Sequence, residues 1–265
     1  RLRALEHAGE WPEEGRAGSR SRVSAYVSAM RGCSRFCSYC VVPYVRGKAR
    51  SRPFEDILGE ARELVGSGAK EITLLGQDIG AYKDEKGGRL WHVLEELAQI
   101  EGLRRLWFVT SHPATVKTEL FETMAKYPVI CPYLHMPAQS GSNEILKAMR
   151  RGYTRRRYLD IIEEARAIVP DLEIASDFIV GFPGETDRDF HMTVDLLWQA
   201  RYQNCFIFKY SPRPGTKAAE MPDDVPMEKK RERNKILLSI QKEIMEERHR
   251  ELEGEVLEVF VEGAS

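Results

Sequence analysis

The chain is poor in cysteine, has no charge bias and contains no long apolar run. Its 265 residues include five cysteines, and 40 Lys and Arg stand against 41 Asp and Glu, a net charge of −1. Without a run of about 18 apolar residues no ordinary membrane-spanning helix is expected. The first residues lack the apolar core of a secretory signal, and a start at Arg1 rather than methionine leads us to expect the natural N-terminus upstream. A near-zero charge gives no global nucleic-acid signal, so any such surface must be local. Five cysteines are too few for a disulfide scaffold, which points to a reducing, cytoplasmic setting. With 42% hydrophobic and 31% charged residues, the composition is that of a globular protein holding one domain of barrel size or two smaller ones.

What cysteine there is, is crowded. Cys33, Cys37 and Cys40 fall in the stretch Gly32-Cys33-Ser34-Arg35-Phe36-Cys37-Ser38-Tyr39-Cys40, spaced C-x3-C-x2-C. Three free thiols beside Arg31 and Arg35 would be partly ionised and prone to oxidation. A structural zinc site wants four ligands, and no second C-x2-C or His-x3-His pair exists. Three thiolates on a four-iron cluster leave one iron open for chemistry, which suits this set better, with zinc kept as the alternative. Cys131 and Cys205 stand apart and read as small buried hydrophobes.

Along the chain, residues 1–22 read as a linker broken by Pro12 and Gly15, with Trp11 packed rather than functional. From there strands and helices alternate. Strands are expected at 23–29, 72–75, 106–110, 133–136, 173–180 and 204–208, and helices at 53–67, 90–100, 117–126 and 158–169. A further helix starts at a capping box, Thr186-Asp187-Arg188-Asp189, with Phe190, Val194 and Leu197 facing inward. Six strand–helix units in strict alternation predict an α/β fold with a parallel sheet and right-handed crossovers, closed or partly closed into a barrel. The last helix, 226–252, is expected to bury Ile236, Leu237, Ile240 and Ile244 and to leave the mixed-charge run 228–235 in solvent. Residues 255–263 alternate like a strand with no partner.

In such barrels the chemistry sits at the C-terminal strand ends. Those ends carry the cysteine loop, then Gly76-Gln77-Asp78, His112, Gln139 and Ser140, and Ser176 and Asp177 followed by Gly181-Phe182-Pro183-Gly184-Glu185. His112 and His135 read first as structural histidines. Asp177, a charge inside a barrel, needs donors, and an arginine partner competes with ligand contact as the explanation. Two basic clusters stand out: Arg46, Lys48, Arg50 and Arg52, and Arg150, Arg151, Arg155, Arg156 and Arg157 around Tyr153. Arginines beside an aromatic suit phosphate contact and base stacking in RNA.

The C-x3-C-x2-C loop, with Tyr39 before its last cysteine, resembles the signature of the radical S-adenosylmethionine (SAM) superfamily. The next residues, Val41-Val42-Pro43-Tyr44-Val45-Arg46-Gly47 and then Ser51-Arg52-Pro53, are similar to its methylthiotransferases, in particular those acting on isopentenyladenosine in tRNA. The resemblance covers residues 23–265 and implies an open (β/α)6 partial TIM barrel of the radical SAM type. It implies a 4Fe-4S cluster on Cys33, Cys37 and Cys40 whose open iron takes SAM, with Tyr39, Gly76, Gln77, Gln139, Ser140, Ser176 and Asp177 around the SAM and the turn 210–216 as the wall beside its adenine. The chemistry implied is reductive cleavage of SAM to a 5′-deoxyadenosyl radical and conversion of N6-isopentenyladenosine next to the tRNA anticodon to its 2-methylthio derivative. No side-chain acid or base is implied, because the cofactor carries the hard step.

Also implied are a tRNA anticodon stem-loop as partner, held by the two basic clusters, an electron donor such as flavodoxin or ferredoxin, and a monomeric state. The family pattern further has an N-terminal domain with a second 4Fe-4S cluster, which residues 1–22 would join to the core at 23–252, and an RNA-binding TRAM domain beginning at 253–265. Two alternatives stay open: a methylthiotransferase acting on a ribosomal protein or another tRNA base, and a non-catalytic iron–sulfur RNA-binding protein.

Overall fold

The computed structural model describes residues 23–259 and 261. The proposed linker with Trp11, Phe260 and residues 262–265 lie outside the described residues.

Strand β1 (Ser24–Ser28) leads into a two-residue strand β2 (Met30–Arg31) and the cysteine loop, which ends in a single helical turn, α1 (Val42–Val45). Strand β3 (Arg50–Ser51) returns antiparallel to β2, pairing Met30 with Ser51 and Arg31 with Arg50. Strand–helix units come next: α2 (Phe54–Gly66), β4 (Glu71–Leu75), α3 (Leu90–Leu97), β5 (Arg105–Phe108), α4 (Thr118–Lys126) and β6 (Tyr133–His135). The second half runs α5 (Asn143–Ala148), α6 (Arg155–Ile168), β7 (Glu173–Val180), α7 (Asp187–Ala200), β8 (Asn204–Lys209) and α8 (Met227–Glu251).

The six long strands are all parallel and ordered as in the sequence, β1-β4-β5 and β6-β7-β8. The two halves are stitched where Leu106 bridges Ile130 and where the Ser111 amide donates to the His135 carbonyl at 2.9 Å. This is the parallel α/β arrangement expected from the alternation, and it is open, as the resemblance implies, with no strand closing β8 back onto β1 among the described residues.

Apart from Ala175, buried on the inner face of β7, the strands alternate, because only one face packs under helices. Ala25 and Val27, Ile72 and Leu74, Leu106 and Phe108, Leu134, and Ile174, Phe178 and Val180 are all buried. Helix α2 meets that face with Ile57, Leu58, Ala61 and Val65, and α6 with Tyr158, Ile161, Ile162 and Ala165, the i, i+3, i+4 stripe of an amphipathic helix. Intervening residues, among them Trp107, Tyr133, His135, Asp177 and Phe206, are less buried and form the opposite face. That face curls inward: the rings of His135 on β6 and Phe206 on β8 lie 6.3 Å apart, although a flat sheet would hold strands two places apart by about 9–10 Å.

The Thr186 capping box forms: the Thr186 hydroxyl accepts from the Asp189 amide, and the Asp189 carboxylate accepts from the Thr186 amide. Helix α8 departs from expectation. Ile236 is exposed, whereas Lys230 and Arg233 from the supposed solvated run are buried beside Leu237, Gln241 and Ile244. Spacing explains the exchange, since 230, 233, 237, 241 and 244 form one stripe and 236 lies off it. Residues 255–259 form no strand, and Val256 is 98% exposed.

Candidate iron–sulfur and SAM site

The cysteine loop is closed at its base. Gly32 has φ +75°, a left-handed conformation, and a Cβ there would sit 2.6 Å from the Gly47 carbonyl oxygen. The Cys33 amide donates to Gly47 O at 3.1 Å, and the Ala49 amide to Ser34 Oγ. Gln77, just past β4, accepts from the Gly32 amide at 2.6 Å through Oε1. On the far side of the loop the Ser38 amide donates to Met149 O and its hydroxyl to Ala148 O, which ties the loop to the end of α5. The three thiols therefore sit on a loop fixed at both ends, at the C-terminal edge of the sheet.

Cys37 is buried, and Cys33 and Cys40 are half-buried. Burial pushes the Cys33 and Cys40 thiols up, against the opposing pull of the backbone N–H of Arg35 and of Val42. Arg151, itself 6% exposed, donates through Nη1 to Cys37 Sγ at 3.4 Å and to the Tyr39 hydroxyl at 3.4 Å. Beside the loop Arg35 pairs with the buried Asp78 at 3.0 Å, and Asp78 also accepts from the His112 amide and the Thr115 hydroxyl.

Among the described residues no three His, Cys, Asp or Glu converge on a single ion position. Three thiols on one loop, with Cys131 and Cys205 buried elsewhere, suit a four-iron cluster with one open iron better than a four-ligand zinc site. The donor set fits in charge as well, since thiolates bound to iron need positive compensation in a buried setting and Arg151 faces the middle thiol. Nearby Ser111 Oγ and His112 Nε2 are buried without partners. His112 Nδ1 accepts from the Ala114 amide, so Nε2 carries the hydrogen, and burial followed by the charges of Arg151 and Arg35 pushes His112 down to about 2. It is a neutral donor, buried and without a partner.

On the inner face, Asp177 Oδ1 accepts from His135 Nε2 at 3.1 Å, and His135 Nδ1 meets the Thr110 hydroxyl at 3.1 Å. Asp177 thus meets a histidine rather than an arginine, as a hydrogen-bond partner, and His135 is an inner-face residue rather than a packed core one. Gln139 takes φ +68°, bridges β7 through Asp177 O and the Ile179 amide, and is buried at the same edge.

Two expected site residues, Ser176 and Ser140, point elsewhere. Ser176 turns its hydroxyl to Met136 O and the Ala138 amide, toward the α6 side, because it is out of phase with Asp177 along β7. Ser140 lies against Thr193 of α7 and accepts from the Ser142 amide. Gly76 makes room for Met30, whose Cγ would lie 2.6 Å from a Cβ there. The wall at 210–216 begins with the buried Tyr210, edge-on to Phe182. Cys131 and Cys205 are buried as expected, and burial pushes the Cys131 thiol up to about 12.

The basic clusters divide. Arg46, Lys48, Arg50, Arg150, Arg156 and Arg157 are exposed and Arg155 is half-buried. Arg52 instead pairs with Glu60, and Arg151 and Tyr153 turn inward, the Tyr153 hydroxyl donating to Ala138 O at 2.7 Å. Neither Arg52, Arg151 nor Tyr153 is a surface group for RNA.

One network escaped the sequence. Glu185, in the glycine-rich exit of β7, accepts from the Gly181 amide at 2.6 Å and from Arg233 Nη1 at 2.6 Å. Lys230 pairs with Asp223 while its ammonium lies 5.2 Å from the centre of the Tyr210 ring. Helix α8 thereby clamps the exits of β7 and β8. The glycines and Glu185 were the visible signal, but the helix partners were hidden in a mixed-charge run.

Six parallel strands in two adjoining halves, bearing three thiols at their C-terminal edge, define a class, and the sequence agrees: the pattern of the Radical SAM superfamily matches residues 27–197, more than half of the chain, which belongs to that superfamily. Its cofactors are accordingly S-adenosylmethionine and a 4Fe-4S cluster. Within the superfamily it is similar to the tRNA-2-methylthio-N(6)-dimethylallyladenosine synthase of Carboxydothermus hydrogenoformans, 49% identical over 92% of this chain and 56% of that protein. The synthase of the same name from Thermotoga petrophila is 45% identical over 97% of this chain and 59% of that protein. The chain thus spans somewhat more than half the length of these relatives.

The fold is shared with the Escherichia coli coproporphyrinogen III oxidase HemN (TM-score 0.64, 14% identity, 87% of this chain and 55% of that one). It is also shared with the methyltransferase TsrM from Kitasatospora setae, solved with cobalamin and a 4Fe-4S cluster (TM-score 0.61, 18% identity, 73% of this chain and 38% of that one).

Proposed function

We propose that this chain is the core of a tRNA methylthiotransferase that converts N6-isopentenyladenosine beside the anticodon to its 2-methylthio derivative. The observation that carries the reading is the pinned thiol loop at the sheet edge, in a sequence 45–49% identical to synthases named for that product. Cys33, Cys37 and Cys40 hold the cluster. When bound, cluster and SAM together supply one-electron cleavage of SAM and hydrogen abstraction from the substrate.

The chain's own residues bind, orient and exclude water. Tyr39 in the cluster loop, the backbone at Gly76 and Gln77 and the buried edge at Gln139 face the SAM, and Asp177, oriented by His135, takes a polar group of the ligand. Phe206 and Phe208, 51% and 54% exposed, give the open side an apolar lining that shields a reactive species. The target carbon is hidden when the adenine is stacked, so the base must be unstacked to enter. Arg46, Lys48, Arg50, Arg150, Arg155, Arg156 and Arg157 are the candidates for the RNA backbone. A flavodoxin or ferredoxin supplies the electron.

Residues 23–252 form the core domain in this reading. The apolar side chains exposed beyond it, Val256, Leu257, Val259 and Val261, suit the start of a TRAM-like β-domain.

The test is methylthiolation by the whole protein, reduced and supplied with SAM, of an isopentenyladenosine-bearing anticodon stem-loop and, in parallel, of ribosomal protein. Product on the RNA alone is expected. Product on the protein alone would replace the reading with the sister activity, and SAM left intact under reduction would replace it with a non-catalytic binding protein.

A further inference from the structure

Arg151 is a buried cation without a counter-ion. It is 6% exposed, yet no carboxylate pairs with it among the described residues. Its fork is fully directed instead: Nε to the Tyr153 hydroxyl at 3.0 Å, Nη2 to Pro137 O at 2.8 Å, and Nη1 to Cys37 Sγ and the Tyr39 hydroxyl, each at 3.4 Å. The Tyr153 ring lies 5.3 Å from the guanidinium carbon. None of these partners is a carboxylate, and a guanidinium kept from water without a counter-ion is costly unless an anion completes the site.

The backbone is shaped to aim it. The Arg151 amide donates to Leu146 O at 2.9 Å and the Arg150 amide to Lys147 O at 3.0 Å, the paired bonds of a Schellman ending to α5. Arg150 takes the left-handed position usually given to glycine, at φ +57°, and stays exposed, which turns its neighbour inward. The same helix end accepts from Ser38, between Cys37 and Tyr39, so the cation and the thiol loop are mounted on one frame.

We propose that Arg151 is a positioning residue whose charge compensates the cluster and whose Nη1–H···Sγ bond to Cys37 sets how readily the cluster accepts an electron. The inference rests on the reading that Cys33, Cys37 and Cys40 hold the cluster. An oxidised 2+ core with three thiolates carries −1, and one electron from a low-potential donor takes it to −2. A fixed cation stabilises the second state more than the first, as does a hydrogen bond to a ligating sulfur. Arg151 therefore raises the potential and favours the reduced form from which SAM is cleaved.

The test compares the parent with Arg151→Gln and Arg151→Lys in the whole protein, after anaerobic reconstitution. Iron content and an EPR-monitored redox titration are read on the signal that responds to SAM. Circular dichroism checks the fold, and Cys37→Ala checks which cluster is being read. In Arg151→Gln the ratio of reduced to oxidised cluster at fixed poise is expected to fall at least tenfold, a shift of about 59 mV for one electron, or the cluster to be lost. Arg151→Lys, which keeps the charge but not the fork, is expected to retain the cluster and stay within tenfold of the parent.

Identical behaviour of the Gln and Lys variants, whether both resemble the parent or both lack iron, would overturn the proposal, since charge would then not be the operative property. A parent in which Cys37→Ala leaves the SAM-responsive cluster intact would instead overturn the ligand assignment on which it rests.

Discussion

Replacing Arg233 by Met should destabilise the protein in a way that depends on pH. Arg233 and Glu185 have side chains only 4% and 1% exposed and meet at 2.6 Å, joining α8 to the exit of β7. Breaking a buried pair from one side leaves an uncompensated charge and costs about 3–5 kcal/mol. A chain of this size loses about 2–4 °C of Tm per kcal/mol, so a drop of about 6–20 °C is expected by calorimetry. Burial already raises the Glu185 carboxyl, and the Gly181 amide and Arg233 hold it down only in part. Without Arg233 it rises further. A carboxyl raised on folding contributes stability below its unfolded value and loses it as pH climbs through the folded value. The deficit of Arg233→Met should therefore be smaller near pH 5 than near pH 8. Adding Glu185→Gln should recover most of it, because the amide still accepts from Gly181 and carries no charge. A Tm within about 2 °C of the parent at pH 8, or a deficit that does not vary with pH, would refute the reasoning.

Gly32→Ala should cost about 1–2 kcal/mol in backbone strain alone and more through collision with Gly47 and Lys48, and should lower the iron bound per chain on reconstitution. His112, held near 2, should show no titration of its ring protons by NMR between about pH 5 and pH 8; a midpoint near 6.5 would contradict its burial against Arg151. In the cluster-free protein, alkylation at about pH 8 should reach the half-buried Cys33 and Cys40 before Cys131 and Cys205, as mass spectrometry of timed samples would show, and reconstitution should protect only the loop cysteines.

The fold was legible because each strand shows one apolar face and each covering helix a matching stripe. β7 runs Glu173–Val180 as its alternation predicts, and Thr186 caps α7 by the rule its sequence suggests. The two-residue strands β2 and β3 were not legible, since pairs that short carry no periodicity, and they are what closes the cysteine loop. Side-chain type misled on α8. Lys230 and Arg233 score as solvated, but their aliphatic stems pack and their charges find Asp223 and Glu185.

In the site, spacing alone set the three cysteines on one loop, and the structure pins that loop at both ends. Ser176 was not, because a strand turns adjacent residues to opposite faces and a motif does not say which face lines the cavity. Arg151 and Tyr153 read as a surface patch in a row of arginines. The left-handed turn at Arg150, which no spacing rule announces, is what turns the second arginine inward.

The decisive measurement is anaerobic reconstitution followed by reduction with SAM present, with 5′-deoxyadenosine quantified for the parent and for Cys37→Ala. Deoxyadenosine is expected from the parent and none from the variant, alongside loss of the SAM-responsive iron–sulfur signal. Equal iron and equal deoxyadenosine in both would contradict a cluster held by Cys33, Cys37 and Cys40, because the loop that organises the site would then not be its ligand.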